Sequence, residues 1–124
     1  AGYDLVLVAK NDPLRIDLDA WEARLREPGY ETVRLSLGQI GFGSAVELLS
    51  TFAGQARDLK GWLQDAEITR DRNLRLQYLA GLGLNLRHGD YIYRNMVAHR
   101  QSPDDLFTGS DQLKAALWEF MRYH

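Results

Sequence analysis

The chain has 124 residues, 45% of them hydrophobic and 26% charged, with 15 basic and 17 acidic side chains. That length suits one domain with an ordinary core, and the balance of residue types excludes a disordered polar chain. A formal net charge of −2 and the lack of cysteine argue against a nucleic-acid binder, and exclude a disulfide scaffold and thiolate chemistry.

The chain opens Ala1-Gly2, with no initiator Met, and passes at once into Tyr3–Ala9. Leu5–Ala9 is a continuous apolar run stopped by Lys10-Asn11-Asp12-Pro13, which reads as a strand buried on both faces. No later segment offers it an obvious partner, and a lone strand leaves its backbone donors and acceptors unpaired. The expectation is a piece of a longer protein: residues 1–10 as a strand stub of an upstream sheet, within a single helical domain over 1–124. The same strand from a second copy would satisfy one edge in both chains, which predicts a homodimer through Tyr3–Ala9. Folding back on Val33–Leu37 is the monomeric alternative.

After Pro13, Asp17 or Asp19 caps a predicted helix to about Arg26, with Leu18, Trp21 and Leu25 on one face. Pro28-Gly29 ends it. Tyr30–Ile40 fits either alternation or a helix closed by Gly41, and the helix is preferred. Ser44 and Glu47 form a capping box for a helix through Val46, Leu48, Leu49 and Phe52 to Gly54. A further helix over about 56–66 turns Leu59, Trp62 and Leu63 inward. A polar stretch over 67–73 leads to a helix from about Leu74 to Leu86. Gly89-Asp90 starts another, with Ile92, Met96 and His99 on one face. Ser102-Pro103-Asp104-Asp105 is a stop-and-start signal, and Phe107-Thr108-Gly109 is a loop. Ser110 caps a last helix burying Leu113, Leu117, Phe120 and Met121. The fold class is mainly α, one N-terminal β-strand followed by six or seven short helices, as the C-terminal fragment of an α/β protein.

The densest polar cluster is Arg70, Asp71, Arg72 and Arg75, placed just before the apolar 74–86 segment. Arginine forks suit bidentate contacts to phosphate or carboxylate, so the cluster is a candidate anion or partner contact. The plainer reading is a helix start capped by Asp71 or Asn73, with the arginines in surface ion pairs. His88, His99 and His124 lack ligand spacing, so no metal and no cofactor is expected. No serine sits in a G-x-S-x-G elbow. Gly41-Phe42-Gly43 and Gly81-Leu82-Gly83 do not follow strands, and so are not dinucleotide loops. Tyr91 and Tyr93 flank Ile92, so at least one of them faces away from its side. No apolar run approaches the ~20 residues of a spanning helix, so membrane insertion is not expected of the chain itself.

Ile68-Thr69-Arg70-Asp71-Arg72-Asn73-Leu74 resembles the N-T-D-D-x-P-L segment of the bacterial membrane-fused spermidine-synthase-like family. Thr69, Asp71 and Leu74 match; Ile68, Arg70 and Asn73 depart. Gly2–Lys10 is similar to a late strand of the aminopropyltransferase catalytic domain, G-F-x-L-x-x-x-K. Leu48-Leu49-Ser50-Thr51-Phe52 is similar to the L-L-x-x-F segment that precedes N-T-D-D. The resemblance implies a parent that makes polyamines, sits in the cytoplasm or is membrane-anchored, and binds decarboxylated S-adenosylmethionine through a sheet upstream of Ala1. None of that family's cofactor or base positions falls on this chain. The expected function is therefore a non-catalytic C-terminal accessory or oligomerisation domain, partnered by the upstream catalytic domain. The alternative is a stand-alone helical interaction module, since Leu76–Pro103 resembles one tetratricopeptide unit with Arg94 where a small residue belongs.

Overall fold

The computed structural model describes residues 6–68, 70 and 89–123. Contacts divide the chain into two compact units. One comprises residues 8–52 and 102–124, the other residues 1–7 and 53–101.

The first unit begins with a two-residue strand, β1 (Ile16–Asp17), and runs directly into helix α1 (Leu18–Arg26). Asp17 is the N-cap, and its Oδ1 accepts from the Ala20 N–H at 3.2 Å. Glu27, held extended by Pro28, ends α1. A 3₁₀ turn over Pro28–Tyr30 leads into α2 (Glu31–Gln39), so the ambiguous 30–40 segment is helical. Its end is a Schellman motif. The Phe42 N–H donates to Leu37 O at 2.9 Å and the Gly41 N–H to Gly38 O at 3.2 Å. Gly41 takes the φ of +95° that this closure requires.

The expected capping box is present ahead of α3 (Ala45–Leu49). Ser44 Oγ accepts from the Glu47 N–H at 3.1 Å, while the Glu47 carboxylate reaches one residue further back than usual, to the Gly43 N–H at 2.6 Å. The helix stops short of Gly54. Ser50 Oγ donates to Glu47 O at 2.7 Å and Thr51 Oγ1 to Leu48 O at 2.7 Å. Such hydroxyl-to-backbone bonds compete with helix continuation, and the backbone tightens into three-residue turns at Thr51 and Phe52.

The unit is completed from the far end of the sequence. Phe107-Thr108, expected as a loop, is a strand, β2, paired in parallel with β1 in the register Ile16 to Phe107 and Asp17 to Thr108. Helix α5 (Asp111–Met121) follows. Helix α1 packs against α2, α3 and α5, and α3 packs against α5. Leu18, Val46, Leu106, Phe107, Leu117 and Met121 form the buried centre. Phe52 meets Phe107 edge to face, with centroids 5.6 Å apart at 88°, a geometry that aligns ring edge with ring face. Leu113 is half-buried against this core, but Phe120 is 38% exposed. Its expected burial is corrected: Leu113, Leu117 and Met121, at spacings of four, already fill the inward stripe.

In the second unit, the helix expected over 56–66 is a run of turns. Only Leu59 and Leu63 donate to carbonyls four residues back; Asp58, Lys60, Gln64 and Ala66 bond three residues back. Gly61 interrupts the segment with the residue least suited to a helix interior. Trp62 and Leu63 are exposed rather than inward-facing. The expected helix over 74–86 lies outside the described residues, and with it half of the tetratricopeptide-like hairpin. Helix α4 (Gly89–Ala98) covers the segment expected to be helical and buries Met96. Ile92 and His99, expected on the same face, are exposed. The described residues thus hold five α-helices and one two-stranded sheet, a mainly helical fold with fewer helices than expected.

Of the expected Tyr3–Ala9 strand, residues 3–5 lie outside the described residues. Residues 6–10 form no strand, and among the described residues the strand pairing lies at 16–17 and 107–108. The fold-back on Val33–Leu37 does not occur, because that segment is inside α2.

Candidate functional site

Of the arginine cluster, Arg70 is described and exposed; Asp71, Arg72 and Arg75 lie outside the described residues. Among the described residues no three His, Asp or Glu side chains gather to hold a metal. His99 is exposed, as is Tyr91, while Tyr93 is half-buried. No described helix is long and apolar enough to cross a membrane.

The described residues do assemble a concave site in the first unit, where charged side chains meet a more apolar lining. It is a cavity of about 110 Å³ between α1, α2 and the turn that precedes α3. Glu22, Leu25 and Arg26 reach it from α1, where spacings of three and four place side chains on one face. Arg34 and Leu37 reach it from α2 by the same spacing, and Phe42, Gly43 and Ser44 close it. The Schellman turn is what brings Phe42 beside Leu37, the apolar pairing typical of that motif.

The charges here are not equivalent. Glu22, with a side chain only 13% exposed, accepts from the Val46 N–H through Oε1 at 3.2 Å. Its Oε2 lies 3.8 Å from Arg26 Nη2, whose side chain is largely in solvent. A pair this long and exposed is worth a few tenths of a kcal/mol at most. The hydrogen bond from the Val46 N–H is therefore the firmer anchor of Glu22, and it ties α1 to the start of α3. Arg34 has no hydrogen-bond or ion-pair partner among the described residues. Sequence reading missed this constellation, because Glu22 and Val46 are 24 positions apart and no local pattern links them.

A second carboxylate site is architectural. Asp19 Oδ2 accepts from the Ser110 N–H at 2.6 Å and Oδ1 from the Ser110 hydroxyl at 3.0 Å. Ser110 is the N-cap of α5, as expected, but its hydroxyl points to Asp19 instead of capping its own helix. Within α5, Asp111 accepts from the Lys114 ammonium at 2.8 Å. That hydrogen bond, aided by the lysine charge, holds the Asp111 carboxyl below its ordinary range. A lowered folded value means the contribution is fully present above the unfolded value and is lost as pH falls through the folded one. Lys114→Met is expected to return Asp111 toward the usual range in a carboxyl-carbon NMR titration. An unchanged titration would show that the pair does not form in solution.

In the second unit, Asp58 is buried and closes the turn that starts at Gln55. Its Oδ2 accepts from the Gln55 N–H at 3.0 Å, in the manner of a capping box. Oδ1 makes no hydrogen bond; it lies 3.7 Å from Arg57 Nε, within ion-pair range but too far for a hydrogen bond. The group is explained by its turn and its arginine neighbour. Compared with family models, curated proteins and solved structures, the chain matches none.

Proposed function

We propose that this chain is a non-catalytic accessory and self-association domain of a spermidine-synthase-like protein, placed beside an upstream catalytic domain. The observation that carries the self-association is the row Val6, Leu7 and Val8, exposed by 81, 85 and 72%. Residues 6–10 make no backbone hydrogen bond among the described residues, so this apolar stretch keeps its donors and acceptors available. An apolar segment with open backbone groups can become a strand by pairing with another chain, and a two-fold antiparallel arrangement satisfies both copies with one contact. Support for the parent family is the order of segments in the sequence: Gly2–Lys10, then Leu48–Phe52, then Thr69, Asp71 and Leu74. None of that family's cofactor or base motifs is found among residues 1–124, which is why the chain is read as non-catalytic.

Sedimentation velocity at tens of micromolar tests the self-association. The intact chain is expected to run as a dimer and Val6→Pro as a monomer with unchanged helical circular dichroism, since proline removes a ladder donor at a position outside the core. A wild type that sediments as a monomer overturns self-association through this segment. Aminopropyl transfer from decarboxylated S-adenosylmethionine to putrescine by the purified chain overturns the non-catalytic reading.

A further inference from the structure

The cavity between α1 and α2 has a composition that its architectural role does not use. Glu22 is committed to the Val46 N–H and lies near Arg26, which leaves the positive charge of Arg34 uncompensated among the described residues. Leu25, Leu37 and Phe42 supply apolar walls. Two arginines and one carboxylate in the lining leave a net charge of about +1, which suits a monoanion. A volume of about 110 Å³ is several times the roughly 10–15 Å³ that one water requires, yet small on the scale of nucleotides or peptides. The guanidinium fork of Arg34 matches the two oxygens of a carboxylate, and walls of leucine and phenylalanine favour a hydrocarbon tail over a second polar group.

We propose that this cavity binds a small monocarboxylate with a short apolar tail, its carboxylate on Arg34 and its tail against Leu25, Leu37 and Phe42. The site is independent of the N-terminal segment and of the parent's chemistry. Arg34 is the discriminating residue, because Arg26 already has Glu22 beside it.

Amide-detected NMR of the full chain, titrated with butyrate at constant ionic strength, tests this. Saturable shifts are expected at Phe42, Gly43 and Ser44, with a dissociation constant on the order of millimolar for so few ligand atoms. Butyramide, the neutral isostere, is expected to produce none. Arg34→Gln is expected to weaken binding tenfold or more, while Arg24→Gln, on α1 but outside the cavity lining, leaves the curve unchanged. The proposal is overturned by shifts that grow linearly without saturation, or by a butyrate curve that Arg34→Gln does not alter. It is equally overturned if inorganic phosphate or chloride saturates the same amides as well as butyrate does, since the apolar walls would then contribute nothing.

Discussion

Gly109→Ala is expected to destabilise the unit formed by residues 8–52 and 102–123 by roughly 2–4 kcal/mol, combining backbone strain with overpacking. Gly109 has φ +131°, and a Cβ there would lie 2.7 Å from Asp19 Oδ2, 3.3 Å from Leu18 Cβ and 3.4 Å from the Asp19 nitrogen. The carboxylate oxygen cannot swing aside freely, because the Ser110 N–H holds it at 2.6 Å. Relieving the clash means breaking that bond or shifting the start of α1, whose first residue, Leu18, is completely buried. Gly41→Ala is the matched comparison. Gly41 also has a positive φ, +95°, but open space surrounds its Cβ direction, so only strain of about 1 kcal/mol is expected. Urea unfolding of both variants separates the two terms. Equal midpoints would mean that the Gly109–Asp19 approach is not tight in solution.

The second large effect is expected at Leu117, only 1% exposed at the centre of the core. Leu117→Ala removes packing between α5 and both α1 and α3 and leaves a cavity, for a loss of roughly 2–5 kcal/mol. Phe120→Ala removes a larger side chain from the same helix, yet is expected to cost about 1 kcal/mol or less, because that ring is partly in solvent. The order of the two midpoints decides which face of α5 is inward. A greater loss at Phe120 would reverse the assignment.

Elements whose causes are local were readable from the residues. The start of α1 follows from Asp17 and the apolar spacing behind it, its end from Pro28, and the onset of α3 from Ser44 and Glu47. Gly41 marked the end of α2 because a Schellman closure needs a residue at ease with positive φ. Features with distant causes were not readable. Phe107-Thr108 contains glycine-flanked turn chemistry and is too short to show alternation, so only the presence of Ile16-Asp17 beside it makes it a strand. The Asp19–Ser110 contact spans 91 positions and leaves no period in the chain. Trp62 and Leu63 fell at helical spacing, but spacing cannot register the interruption at Gly61. The cavity went unseen for the same reason, since its walls come from two helices whose crossing is a tertiary fact. The Arg70–Arg75 cluster was conspicuous as composition, and only Arg70 of it lies among the described residues.

Because α5 and β2 arrive last in the sequence, the order of synthesis bears on how the first unit is completed. When Leu18 and Val46 have emerged from a ribosome, their covering residues Leu117 and Met121 are still some seventy to a hundred positions away. At ~5–20 residues per second, the early helices wait several seconds with their apolar stripe uncovered. Joining positions as far apart as Asp19 and Ser110 then costs about 4 kcal/mol of chain entropy, a non-local closure of the kind that slows folding. The same logarithm makes the intervening stretch forgiving in length: doubling it adds only ~0.6 kcal/mol. Insertions between Phe52 and Ser102 should therefore be borne far more easily than the loss of the last dozen residues.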